Sequence, residues 1–277
     1  MSTSHFDLIE WPRWAEMWAL ALAVYVACKW LTWRRSGVRH VPVWKHCAYL
    51  IAWPGMDAAS FLDDEPRSSF SECAYNEWIA ATVKLLAGVA LLFGVSRLIP
   101  SRHPYAVGWI GMIALVLILH FGMFHLLSCW WRNHGVQARP LMNRPLSSTS
   151  LSEFWGRRWN SAFRDLTHRF LFRPCASWLG PRWGIVAGFL FSGAIHDLVI
   201  SVPARGGYGG PTFFFAVQGA GMVIERSELG RHIGLGSGWS GRLFTVTVLL
   251  APVGLLFHRP FVIGIIVPFM QTIGAIQ

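Results

Sequence analysis

Residues 189–199, FLFSGAIHDLV, set a histidine and an aspartate in the middle of an otherwise apolar run. Ionisable groups within a membrane span are costly, about 2.5–3.5 kcal/mol for a charged side chain on insertion scales, and mark functional sites by default. A neutral imidazole is cheaper to bury, and with an ordinary pKa near ~6.5 it can take a proton at physiological pH. Asp197 lies about 100° round a helix from His196, so a direct His–Asp dyad is not expected. Gly184, Gly188, Ser192 and His196 recur every four residues, a ridge of small side chains leading to the imidazole. Such a ridge either lets a neighbouring helix approach closely or leaves a slot in which an acyl chain could lie. Ser192 and His196 share a helix face, so a serine nucleophile with its base is a second reading. His120 and His125, in LILHFGMFHLL, do not share a face well and read as polar packing groups rather than haem or metal ligands.

Upstream, residues 151–171 (LSEFWGRRWNSAFRDLTHRFL) have helical periodicity, with Leu151, Phe154, Trp155, Trp159, Ala162, Phe163, Leu166 and Phe170 on one face. The spacing predicts an amphipathic helix on the cytoplasmic membrane surface, capped by Ser150 or Ser152 with Glu153 in its first turn. Asn160 falls opposite the apolar stripe, beside Arg157 and Arg164. Guanidiniums there could pair with phosphates, whereas the remaining arginines of the segment read as topology determinants. The preceding stretch 133–150, rich in Pro, Ser and Asn, is loop chemistry.

The chain that must position these groups has 277 residues, 53% hydrophobic and 14% charged, with a mean hydropathy of +0.41. Soluble domains are about a quarter charged, so the composition points to an all-α polytopic membrane protein, one domain over 1–277. Seven apolar spans are expected, at 14–32, 78–96, 105–130, 183–202, 211–225, 243–257 and 260–276. A shorter segment, 43–53, should be interfacial or re-entrant. The net charge of +10 is spread between spans rather than gathered in a basic domain, which excludes nucleic-acid binding as the reading. Nine arginines crowd 132–182 against Glu153 and Asp165 alone. Counting positive charge places the N-terminus outside and the C-terminus inside, and leans toward a bacterial inner membrane. The opening residues are acidic and carry no small-residue cleavage site, so no cleavable leader is expected. The five cysteines form no C-x-x-C pair and read as small buried apolar residues, with no disulfide framework and no metal site.

FWGRRWN (154–160) followed by SGAIHD (192–197) resembles the membrane-bound O-acyltransferase superfamily, and most of all its wax-synthase-like branch. WPGMD (53–57) and VPARGGYG (202–209) are similar to that branch as well, so the resemblance covers about 45–226. It implies that His196 is the catalytic base and Asn160 its upstream partner. It further implies that Arg157, Arg158, Trp159, Arg164, Ser192 and Arg205 contact substrate. Two departures stand out: Asp197 occupies a position where Glu is more usual, and little chain lies beyond the core spans. The implied reaction joins an acyl group from acyl-CoA, or from acyl-carrier protein, to a long-chain alcohol, a sterol-like lipid or another hydroxyl acceptor. Acyl-CoA is then a co-substrate, and no metal or organic cofactor is required. Two rival readings remain: an intramembrane serine hydrolase built on Ser192 and His196, and a transporter with His196 on a polar path.

Overall fold

The computed structural model describes residues 11–63 and 72–277, and among them it contains helices and turns but no strand. Residues 1–10, where the absence of a cleavable leader was read, lie outside that range. Nine helices carry the architecture: α1 (Arg13–Ser36), α2 (Val43–Ala52), α3 (Tyr75–Leu98), α4 (Pro104–Asn133), α5 (161–179), α6 (Pro181–Ala204), α7 (Gly210–Glu225), α8 (Gly238–Leu256) and α9 (Arg259–Thr272). Five of them, α1, α3, α4, α6 and α8, are long and apolar enough to cross a membrane. All seven expected spans are helical, but α7 and α9 are shorter than a full crossing. The 16 residues of α7 rise only about 24 Å against a hydrocarbon core of about 30 Å. The protein is an integral membrane protein of the all-helical class.

Local chemistry sets the boundaries. Proline occupies the first turn of α4, α6, α7 and α9, where its missing N–H is not needed. Gly37, at φ 70°, closes α1, and Gly180, at φ 88°, separates α5 from α6. The predicted short piece at 43–53 is α2, and the WPGMD loop follows it. That loop is held by side chains from elsewhere. Lys29 Nζ donates to the Gly55 carbonyl at 2.6 Å and sits 3.3 Å from the centre of the Tyr49 ring. Tyr25 donates to the Trp53 carbonyl and Trp131 to that of Ala52.

Two apolar clusters form the core. One joins α1, α4, α6, α7 and α9 through Met17, Met112, Ile200, Phe214, Phe215, Val262 and Met270. The other packs Tyr49, Trp53, Phe61 and Leu62 against Trp131, Val136 and Ala162. Within the first, α6 and α7 touch through glycine: a methyl group on Gly193 would sit 2.6 Å from the Thr212 backbone.

Two expectations are corrected. Residues 151–171 do not form one surface helix. The helix turns of 151–158 stop at Trp159, whose backbone is extended, and α5 starts afresh after Asn160. The cause is that the aromatic face packs on protein rather than lipid. Trp155 meets Phe189 and Phe215, and its indole N–H donates to Gln218. Glu225 of α7 accepts the backbone N–H groups of Leu151 and Ser152 and so anchors the start of the segment. The second correction concerns cysteine: Cys73 and Cys129, 56 residues apart, are joined in a disulfide linking the chain just before α3 to the end of α4. Helix packing makes that pair, and no local spacing announces it.

Candidate active site

A cavity of about 670 Å³ opens between the two core clusters. Its floor is α6, which contributes Gly184, Gly188, Ser192 and His196, so the whole four-residue ridge faces it. Between the two meanings of that ridge, the slot prevails at its centre: a methyl group added at Gly188 would meet nothing within 4 Å. Most of the remaining lining is apolar, from α1, Pro54, Met56, Trp155, Phe163 and Phe215.

His196 sits at the inner end of this ridge with its ring 4.5 Å from that of Phe215. Its Nδ1 lies 2.7 Å from the Ser192 carbonyl. A carbonyl only accepts, so Nδ1 carries the proton, and in the neutral ring Nε2 keeps its lone pair. The π-type turn 197–201, which begins at the next residue, widens α6 at this point. Asp197 does not pair with His196, as expected from the helical offset; it accepts instead from Ser201, Gly209 and Thr212. Ser192 donates its hydroxyl proton to the Gly188 carbonyl at 3.0 Å. Its nearest bond to the imidazole is through its backbone, an arrangement that does not prepare a serine nucleophile.

Asn160 lines the same cavity, as do Trp159 and Arg164. Asn160 adopts φ 42°, ψ 65°, a left-handed conformation that asparagine tolerates better than most residues. Its Oδ1 accepts from Phe163 N–H and so caps α5, which leaves the amide nitrogen uncommitted. Trp159 stacks on Phe154 and lies nearly parallel to His120. Arg164 pairs with Asp165 and donates to the Gly156 carbonyl.

A second cavity, of about 720 Å³, shares Met56, Leu141, Ala162, Arg164 and His168 with the first. It is polar and basic: Arg139, Arg157, Arg164, Arg169 and Arg173 line it against Asp57 and Asp165. Arg157 therefore stands in this second cavity rather than beside His196. Arg158 lines neither; it grips Glu153 through two nitrogens at 2.8 and 2.6 Å and donates to the Asn143 and Arg144 carbonyls. The Thr149 backbone N–H, with Arg158 beside it, holds the Glu153 carboxyl below the usual carboxylate range. Arg205 also lines neither cavity and faces Glu16 at 3.7 Å. Among the residues not singled out from sequence as site residues, His120 and Arg226 line the first cavity, and Arg139, Arg169 and Arg173 the second. A histidine within a span was the visible signal for His120; nothing local marked the arginines.

An apolar slot thus closes on a half-buried histidine next to a pocket lined by arginine. Residues 138–217 match the Membrane bound O-acyl transferase family. The chain is 27% identical over 219 residues to a probable long-chain-alcohol O-fatty-acyltransferase 9 of Arabidopsis thaliana, covering 73% of this chain and 62% of that one. It is 30% identical over 100 residues to the long-chain-alcohol O-fatty-acyltransferase of Simmondsia chinensis, covering 33% and 28% of the two chains. It is 32% identical over 77 residues to an acyl-CoA–sterol O-acyltransferase 1 of Arabidopsis thaliana, covering 25% and 22%. The chain thus spans about three fifths or less of the length of these relatives. No solved structure matches it. The resemblance read from FWGRRWN and SGAIHD is borne out as a similarity: residues 138–217 match the membrane-bound O-acyltransferase family, and the similar proteins include long-chain-alcohol O-fatty-acyltransferases.

Proposed function

We propose that the protein esterifies a hydroxyl acceptor with an acyl group carried by acyl-CoA or acyl-carrier protein. The observation that carries this reading is the pairing of the two cavities, one apolar and ending at His196, the other lined by five arginines and sharing a wall with it. An acyl chain would fill the slot along Gly184 and Gly188. The phosphates of the donor would pair with Arg157, Arg164 and their neighbours, charge-assisted bonds that suit the guanidinium fork. On the topology read from positive charge, that basic cavity faces the cytoplasm, where activated acyl donors are made.

In the step itself, Nε2 of His196 takes the alcohol proton as the oxygen attacks the thioester carbonyl. The Asn160 amide donates to the oxygen that becomes negative, a contact of this kind being worth about 2.7–4 kcal/mol in other acyl-transfer sites. The C–S bond then breaks, and the imidazolium returns the proton to the departing thiolate, giving ester and free thiol. Base, donor and acyl carrier account for every proton and electron pair, so the chemistry calls for no metal or organic cofactor. The acceptor is taken to be a long-chain alcohol or a sterol-like lipid, after the relatives' names and the apolar cavity. The serine-hydrolase reading is weakened by the committed Ser192 hydroxyl.

The test is to incubate purified protein with labelled acyl-CoA and a panel of lipid alcohols, beside His196→Ala and Ser192→Ala. Ester made by wild type and Ser192→Ala but not by His196→Ala is the expected result. Undiminished product from His196→Ala would remove the base, and loss of product in Ser192→Ala alone would restore the hydrolase reading.

A further inference from the structure

The polar groups that line the main cavity are, with few exceptions, already spent on the protein. Tyr25 donates to the Trp53 carbonyl, Thr167 to that of Phe163, and Ser192 to that of Gly188. Ser152 accepts from Arg226. His120 differs from all of these. Its Nδ1 is shut away from solvent without a hydrogen-bond partner, and neither ring nitrogen is bonded among the described residues. What holds the ring is aromatic contact alone: it lies 14° from the plane of Trp159 at 6.4 Å and meets Phe124 edge-on at 5.4 Å. His125, His196 and His258, by contrast, are tied by hydrogen bonds, to Glu77, Ser192 and Ser201 respectively.

The proton on His120 can therefore be located by elimination. An occluded N–H left without an acceptor is rarer and costlier than an occluded lone pair. Nδ1 is accordingly the bare nitrogen, and Nε2 carries the proton and is the nitrogen left to meet a ligand in the cavity. This is the reverse of His196, where Nδ1 is protonated and Nε2 is bare. Of the three imidazoles that line the cavity, His168 is exposed on the wall shared with the second cavity, and the other two have complementary tautomers, His196 able to accept a proton and His120 able to donate a hydrogen bond. The alcohol has a single proton, and His196 takes it; the remaining atom that gains negative charge is the carbonyl oxygen of the acyl donor. We infer that His120 binds that oxygen through Nε2–H, forming with the Asn160 amide a two-donor site for the developing oxyanion. The inference rests on the acyltransfer reading above, and it makes His120 a catalytic residue of that reaction.

The experiment separates the two. An acyl-CoA analogue with the thioester sulfur replaced by methylene keeps the carbonyl and cannot turn over. With a ¹³C-labelled carbonyl, its stretching band is read by isotope-edited infrared spectroscopy in wild type, His120→Phe and His120→Gln. Phenylalanine preserves the stacking on Trp159 and removes the donor, while glutamine restores an N–H. The expected result is a lowered carbonyl frequency in wild type, lost in His120→Phe and partly recovered in His120→Gln. With reactive acyl-CoA, kcat should fall about 10²–10³-fold in His120→Phe with KM for the donor little changed. The same carbonyl band in wild type and His120→Phe, with the analogue bound to both, would overturn the role of His120 alone. Failure of wild type to take up the analogue would overturn the acyl-donor reading, and His120 with it. A His120→Phe protein with wild-type kcat would show that the residue serves packing only.

Discussion

His196 and Asp197 are consecutive residues of one helix, yet they belong to two differently built regions. Asp197 is saturated. It accepts from Ser201 Oγ at 2.8 Å, from Gly209 N–H at 2.9 Å, from Thr212 N–H at 3.0 Å and from the Thr212 hydroxyl. Ser201 is also 3.1 Å from His258 Nε2, and His258 Nδ1 accepts from Phe261 N–H. The end of α6, the glycine loop, and the starts of α7 and α9 are thereby tied into one polar knot. His196 has a single bond, made by the nitrogen that faces away from chemistry, and its other nitrogen is free. A polar group whose capacity is filled by the protein builds the fold, and one left partly unfilled in a cavity is held for a ligand.

Substitution should divide the two neighbours cleanly. His196→Gln keeps most of the side-chain volume but supplies no base, so ester formation should fall about 10²–10⁴-fold while thermal unfolding moves little. Asn160 gives the next largest effect. Glycine accepts the left-handed backbone and costs a helix cap only a few tenths of a kcal/mol. Asn160→Gly therefore removes the amide and spares the fold, and kcat should drop about 10²–10³-fold. If Asn160→Gly retains full activity, the residue is there for its backbone and cap alone.

Asp197→Ala is expected to do the opposite of His196→Gln. It strands the N–H groups of Gly209 and Thr212 and the hydroxyl of Ser201, and should cost about 2–3 kcal/mol in stability, read as a lowered Tm in detergent. Activity per folded molecule should survive. The two glycine environments of α6 extend the contrast. Gly188→Leu projects into open cavity, so it should fold normally and shift preference toward shorter acyl chains by about 10-fold or more in kcat/KM. Gly193→Leu meets the Thr212 backbone and should destabilise without altering chain-length preference.

Much of this contrast was legible in the chain before folding. The ridge of Gly184, Gly188 and Ser192 leading to His196 follows from helical period, as does the separation of His196 from Asp197; that the ridge is a slot at Gly188 rather than a packing seam does not. Hydropathy marks seven apolar spans, all of them helical, but only five are long enough to cross a membrane. The fate of 151–171 was not legible, because periodicity reports that one face is apolar and does not say whether lipid or protein will cover it. Glu225 and Gln218, 50 or more residues downstream, decide that by capping Leu151 and bonding Trp155. The partners of Arg205 and Cys73 are set by tertiary packing in the same way. His120 shows the limit from the other side: its place within an apolar span is visible, but the bond that its Nδ1 does not make is something no sequence pattern can express.

The smallest expected effect tests the knot through pH. Burial lowers the His258 pKa, against an opposing pull from the Asp197 carboxylate, so the folded protein holds this ring neutral where the unfolded chain would protonate it. The bonds agree with a neutral ring, since Nδ1 accepts from Phe261 and a proton there would break that cap. With the folded pKa below the unfolded value of about 6.5, the unfolded state binds more protons in the interval between them, and stability rises with pH there. His258 thus contributes its full stability above about pH 6.5 and loses it as pH falls from there toward the folded pKa. The slope due to this one group cannot exceed about 1.4 kcal/mol per pH unit. His258→Gln should be less stable at neutral pH and should show a flatter decline of Tm between about pH 7 and pH 5 than wild type. Parallel curves for the two proteins would mean that the fold leaves the His258 pKa unshifted. A wild-type curve that declines less than the variant's as pH falls would mean that the ring is protonated in the fold, with the Ser201 contact rebuilt around Asp197 as the counter-ion and the knot an ion pair instead of a neutral network.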